Sequence, residues 1–127
     1  MKKIKKILKK KNKSKIVCLT AYSKNIAEEV DKHADIVLVG DSLGSVLYNY
    51  SSTKKVTLDE MINHSKSVRL GVKKSLMVVD MPYKTYISKN LALKNAKKIM
   101  KQTKCDAVKL EGGKKIINQI QFLIKNK

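Results

Sequence analysis

Short apolar runs alternate with amphipathic segments along this chain, and this pattern predicts an α/β fold. Runs rich in aliphatic and β-branched residues predict buried strands at 15–22, 35–39, 75–79 and 106–110. Apolar residues spaced three or four apart predict helices at 25–33, 57–71, 88–100 and 116–124. Continuous apolar strands that alternate with helices are typical of a parallel sheet with right-handed crossovers.

The predicted helices have recognisable ends. Thr57 and Glu60 form a capping-box pattern, Ser88 is a candidate N-cap, and Gly71 is a natural helix stop. Residues 40–56 contain two glycines and no apolar period, so we expect a loop there.

The N-terminal segment is a run of lysines interrupted by apolar residues. Ile4, Ile7 and Leu8 within 2–13 suit one face of a short basic helix. We therefore expect a single domain over 1–127, built of four βα units behind that helix. No apolar stretch approaches the ~20 residues of a membrane span, and no secretory signal is recognisable, so we expect no membrane partner.

Composition indicates which partners and which compartment suit this chain. The hydrophobic fraction of 43% indicates a globular chain in spite of a net charge of +19. Of 29 basic residues only Arg69 is an arginine, and the aromatic residues are not interleaved with the lysines, so we expect no specific nucleic-acid partner. Cys18 and Cys105 lack metal-like spacing and are expected to be buried free thiols in a reducing cytoplasm.

Polar residues follow three of the predicted strands. Asp41, Asp80 and Glu111 come where apolar runs end, and Ser42 and Lys109 lie beside them. In a parallel sheet these side chains converge on the carboxyl edge, where α/β enzymes carry their chemistry. Carboxylates there can hold Mg²⁺, which could chelate a 2-oxo acid and stabilise its enolate.

Structural explanations of the same residues remain open. Each aspartate could cap a turn or a helix N-terminus. Lys109 and Glu111 could be a structural ion pair, or the ammonium could bind an anionic substrate.

Gly40-Asp41-Ser42-Leu43 also spells the signature of the Gly-Asp-Ser-Leu hydrolases, in which the serine is the nucleophile. That chemistry needs a histidine base oriented by an acid. The two histidines, His33 and His64, do not occur in an Asp-x-x-His pair, and His64 is expected to be a packing or surface residue.

An ordered set of motifs carries a family resemblance. The segments are Ile16–Tyr22, Leu38–Gly44, Ser52-Thr53 with Val56-Thr57, His64 with Val68–Gly71, Asp80–Tyr83 and Val108–Gly113. In this order they resemble ketopantoate hydroxymethyltransferase, also called 3-methyl-2-oxobutanoate hydroxymethyltransferase. The resemblance covers nearly all of this chain.

The resemblance implies a (β/α)₈ barrel and a reaction. The family transfers a hydroxymethyl group from the co-substrate 5,10-methylenetetrahydrofolate to 3-methyl-2-oxobutanoate, giving 2-dehydropantoate for pantothenate and coenzyme A biosynthesis. By resemblance, Asp41 and Asp80 are the Mg²⁺ ligands and Glu111 supports the metal directly or through water. Ser42 and Lys109 bind the keto acid together with the two aspartates.

A full barrel takes ~250 residues, so the resemblance implies that 1–127 is an N-terminal half. We expect the family's general base beyond residue 127 and assign no catalytic residue here. A half barrel has open strand edges, so we expect a homo-oligomer or a complementary C-terminal fragment as partner. The alternatives are a truncated, non-catalytic remnant or a basic anion-binding protein.

Overall fold

A computed structural model describes residues 2–126, and its elements follow the predicted order. The helices are α1 Lys2–Lys10, α2 Lys24–Val30, α3 Leu43–Tyr48, α4 Leu58–Gly71, α5 Lys89–Thr103 and α6 Ile117–Lys125. The strands are β1 Cys18–Thr20, β2 Ile36–Val39, β3 Leu76–Asp80 and β4 Ala107–Lys109. Single 3₁₀ turns, Thr53–Lys55 and Gly113–Ile116, precede α4 and α6.

The strands form one parallel sheet in the order β1-β2-β3-β4. In register, Thr20 lies opposite Leu38, Leu38 opposite Val78, and Val78 opposite Ala107. Sequential parallel strands alternating with helices form half of a TIM barrel, so the predicted fold class is confirmed.

The two faces of the sheet differ in burial. Val37, Val39, Met77 and Val79 are 0% exposed under the helices, where they form the centre of the core. Side chains alternate along each strand, so the opposite face carries a second set. This inner face is only partly buried at Ile36, Leu38 and Val78. It consists of Cys18, Thr20, Ile36, Leu38, Leu76, Val78, Asp80, Ala107 and Lys109.

The predicted helix ends are confirmed. The Thr57 side chain accepts from the N–H of Glu60 at 3.2 Å, while the Glu60 carboxylate accepts from the N–H of Thr57 at 2.6 Å. The Ser88 hydroxyl accepts from the N–H of Leu91 at 3.3 Å. Gly71 ends α4 where it crosses α2, and a Cβ there would lie 2.5 Å from a backbone oxygen of α2. Close helix packing therefore requires glycine at this position.

At the amino edge of the sheet, aspartates receive main-chain N–H groups from neighbouring segments. Asp35 accepts from Val17 at 3.1 Å and Asp106 accepts from Met77 at 2.9 Å. Helix α1 covers this edge through its lysines, of which Lys10 lies 2.7 Å from Asp35. Ion pairs therefore anchor α1, none of whose residues is fully buried.

Residues 40–56 are not the loop that the sequence predicts. Leu43–Tyr48 form α3, and Leu43 is fully buried while Val46 and Leu47 are exposed. A six-residue helix spans fewer than two turns, which is too short to display an apolar period.

The prediction that the first strand is buried is wrong, because all three residues of β1 are exposed. Cys18 is exposed, because β1 is an edge strand with little packed over it, whereas Cys105 is buried as predicted. Among the helices of residues 2–126, none combines the length and apolar character needed to cross a bilayer.

Candidate functional site

The carboxyl edge of the sheet brings the candidate residues together. Asp80 is the last residue of β3, and its Cα pairs in register with that of Lys109 on β4. Asp41 follows β2 by two residues and Glu111 follows β4 by two. The predicted convergence on this edge therefore exists.

Asp80 lies at the centre of this site and is only 4% exposed. Its Oδ2 accepts a hydrogen bond from the main-chain N–H of Asp41 at 3.2 Å, so Asp80 does hold the turn after β2. Its Oδ1 lies 2.8 Å from the Lys109 ammonium, which holds this oxygen in an ion pair.

Lys109 joins two carboxylates. Its Nζ lies 2.8 Å from Asp80 Oδ1 and donates to Glu111 Oε1 at 2.6 Å, so the predicted structural pair is present and extends to Asp80. An ammonium has three N–H donors, and the Lys109 side chain is 36% exposed. A donor therefore remains for a ligand at this edge.

The electrostatics of this edge favour the binding of an additional cation near Asp41 and Asp80. Burial, then the charges of Asp80 and Glu111, raise the pKa of Asp41 above its usual value. Burial also raises the pKa of Asp80, and Lys109 opposes this shift only in part. Burial by itself would lower the pKa of Lys109, but its bonds to Asp80 and Glu111 raise it instead. The two aspartates thus repel each other in a partly dry environment.

The three carboxylates do not form one metal cluster. Within the described part of the chain no group of three or more His, Cys, Asp or Glu side chains is arranged to hold a metal ion. The Glu111 side chain is 67% exposed and is engaged by Lys109. Asp41 and Asp80 alone still fit Mg²⁺, which often takes one or two carboxylates and keeps several waters.

Ser42 faces the same edge. It is the N-cap residue of α3, but its side chain makes no capping bond; its Oγ instead lies 2.7 Å from the Tyr22 hydroxyl. The two nitrogens of His64 are bonded to Tyr48 and to the main chain of Tyr22, not to Ser42. The serine therefore lacks the histidine base that hydrolase chemistry requires.

Sequence reasoning missed Tyr22 and Tyr86 as parts of the site. Tyr86 donates its hydroxyl to the Glu111 carbonyl at 3.0 Å and accepts from the Glu111 N–H at 3.3 Å. Tyr22 follows β1 at the same edge as Asp41, so its position after a predicted strand could have identified it as a site residue. No local pattern pointed to Tyr86, because it lies in a turn far from β4 in the sequence.

Comparison with known proteins agrees with this geometry. The sequence model of the ketopantoate hydroxymethyltransferase family matches residues 1–127. A Pelagibacter ubique (strain HTCC1062) protein named 3-methyl-2-oxobutanoate hydroxymethyltransferase is 72% identical over 126 residues, or 99% of this chain and 49% of that protein. A protein of the same name from Anaplasma marginale (strain St. Maries) is 50% identical over 91% of the chain and 42% of its own length.

A third protein of that name, from Rhizobium etli, is 54% identical over 87% of the chain and 41% of its own length. The chain thus spans about half the length of the curated relatives it matches. None of these matches supports the hydrolase or the basic anion-binding hypothesis.

Proposed function

The chain belongs to the ketopantoate hydroxymethyltransferase family, and we propose that it supplies the metal- and keto-acid-binding part of such an enzyme. The reaction transfers a hydroxymethyl group from 5,10-methylenetetrahydrofolate to 3-methyl-2-oxobutanoate, giving 2-dehydropantoate. The observation that carries the proposal is the juxtaposition of Asp41, Asp80, Ser42 and Lys109 at one sheet edge.

The donor set supports Mg²⁺ at Asp41 and Asp80. Burial and then the charges of Asp80 and Glu111 raise the pKa of Asp41, and burial raises the pKa of Asp80, so a cation bound between the two carboxylates would be stabilised. A bound Mg²⁺ would withdraw electron density from the keto group of the substrate and so increase the acidity of its neighbouring C–H. Glu111, which the structure holds against Lys109, would support this site through Lys109 or through water.

Lys109 and Ser42 provide the other polar groups that could bind the keto acid. The ammonium offers a positive charge and a donor to the substrate carboxylate, while Asp80 and Glu111 hold it in place. The Ser42 hydroxyl, free of any capping bond, can donate to a substrate oxygen while it accepts from Tyr22. The inner-face side chains Leu38 and Val78 lie on the strands that lead to this edge and form an apolar floor beneath it.

Removal of the substrate's C3 proton needs a placed base. We assign no residue of 2–126 to this step, and we propose that the base belongs to the half of the family that this chain does not match. We also propose a cytoplasmic location, because the free thiols of Cys18 and Cys105 suit a reducing compartment.

A partner for the open edges of the sheet follows from the same proposal. Among the strands of the described residues, β1 and β4 are the two edge strands of the sheet, and each has one edge without a neighbouring strand. An apolar cavity of about 720 Å³ lies beside β4, lined by Ile4, Met100, Val108, Ile120 and Leu123 among others. We propose that the complementary half barrel pairs with these edges. Co-expression with residues of the Pelagibacter relative beyond its matched part should give a stable 1:1 complex; persistence of a homo-oligomer of this chain would favour self-association instead.

The site is tested by calorimetric titration. The chain is titrated with MgCl₂ and then with 3-methyl-2-oxobutanoate, and the same is done for Asp41→Asn and Asp80→Asn. We expect both variants to lose Mg²⁺-dependent keto-acid binding. Asp59→Asn is the matched control, because the Asp59 side chain is 77% exposed on α4 and pairs with Lys98. Binding by both site variants at wild-type affinity would refute the proposal.

A further inference from the structure

His64 uses both of its ring nitrogens. From the middle of α4, Nδ1 lies 2.8 Å from the carbonyl oxygen of Tyr22 and Nε2 lies 2.7 Å from the hydroxyl of Tyr48. A carbonyl oxygen can only accept, so Nδ1 must carry a hydrogen and donate it. In the neutral ring Nε2 then accepts from the Tyr48 hydroxyl, which fixes the tautomer.

Both partners of His64 belong to segments that flank Ser42. Tyr22 contacts the Ser42 Oγ through its own hydroxyl at 2.7 Å. Tyr48 is the last residue of α3, and Ser42 is the N-cap of that helix. The imidazole therefore connects the segment after β1 with the far end of α3, and Ser42 lies between them.

We propose that His64 is a positioning residue that holds Ser42 in place for the keto acid. This inference rests on the proposed function for its ligand, but not for its geometry. The ring nitrogens of His64 bond to Tyr48 and Tyr22 and not to Ser42 itself. It acts through Tyr22, whose main chain it anchors, and through α3, whose end it holds.

A second tie makes the proposal testable in a folded variant. The Tyr50 hydroxyl donates to Glu60 at 2.8 Å, so α4 holds the segment after α3 independently of His64. Loss of the imidazole should therefore loosen Ser42 without detaching α3 from α4. His64 is also only half-buried, so its truncation leaves no enclosed cavity.

The first measurement is keto-acid affinity in the presence of Mg²⁺. We expect His64→Ala to weaken 3-methyl-2-oxobutanoate binding about tenfold, a loss at the lower end of that seen when a residue that orients a metal ligand is removed. His64→Asn should restore most of the affinity, because its amide nitrogen can still donate to the Tyr22 carbonyl. The matched control is Asn63→Ala, because Asn63 is the exposed residue next to His64 on α4.

The second measurement needs no ligand. In ¹⁵N-edited NMR spectra of the free chain, His64→Ala should shift or broaden the Ser42 and Tyr22 amide signals, whereas Asn63→Ala should leave them unchanged. Unchanged Ser42 and Tyr22 signals in His64→Ala would overturn the inference, as would equal effects in the control. If the wild-type chain binds no keto acid, the proposed function fails, and the NMR comparison still decides the role of His64.

Discussion

Asp31 offers a stability prediction with a magnitude that follows from the structure. It is the C-cap residue of α2 and is 7% exposed. Its carboxylate accepts from the main-chain N–H groups of Lys73 at 2.9 Å, Lys74 at 2.9 Å and Ser75 at 2.8 Å. Burial by itself would raise the pKa of Asp31, but these N–H groups outweigh it and lower the pKa to about 2.

A carboxyl group whose pKa is lower in the folded than in the unfolded chain stabilises the fold when it is ionised. The ordinary value for this carboxyl is 3.8, against about 2 in the fold. At about 1.4 kcal/mol for each unit of pKa difference, this shift contributes roughly 2.5 kcal/mol to the free energy of unfolding at neutral pH. Because the folded pKa is the lower one, the contribution is present above pH 3.8 and is lost as pH falls through about 2.

Asp31→Asn removes the charge and keeps the shape. We expect it to lower the free energy of unfolding by roughly 2.5 kcal/mol at pH 7, and by about half of that at pH 3, where the carboxyl is partly protonated in the unfolded chain. Urea unfolding at the two pH values measures this. A deficit no larger than that of the exposed control Asp59→Asn, or one that stays constant between pH 7 and pH 3, would refute the reasoning.

Three further predictions concern other parts of the fold. Asp41→Asn should lose Mg²⁺ binding and yet be at least as stable as the wild type in thermal unfolding at pH 7. The folded-state pKa of Asp41 is raised, so its ionisation destabilises the folded chain as pH rises, and the asparagine avoids this cost. Gly71→Ala should destabilise the chain by about 1–3 kcal/mol in urea unfolding, because its Cβ would press on the backbone of α2; an unchanged midpoint would contradict this. Lys10→Ala should speed amide exchange throughout α1, because Asp35 then loses its ion-pair partner; equal protection in both proteins would show that α1 is held otherwise.

Much of the site could be predicted because it depends on strand ends. In a parallel sheet every carboxyl end lies at the same edge, so Asp41, Asp80 and Glu111 had to be neighbours once the strands were recognised. Which atoms they contact could not be predicted. Lys109 bonds to Asp80 and Glu111 together because β3 and β4 pair with Asp80 opposite Lys109, and this register is a property of the assembled sheet.

The sequence by itself determined the alternating elements and the capped starts of α4 and α5, because these depend on apolar period and on neighbours within four residues. It also carried the family motifs. Only the tertiary structure decided the existence of α3, the exposure of Cys18 and the contact of His64 with both Tyr22 and Tyr48. These features depend on which segments meet in space, and contacts between residues tens of positions apart leave no local pattern in the chain.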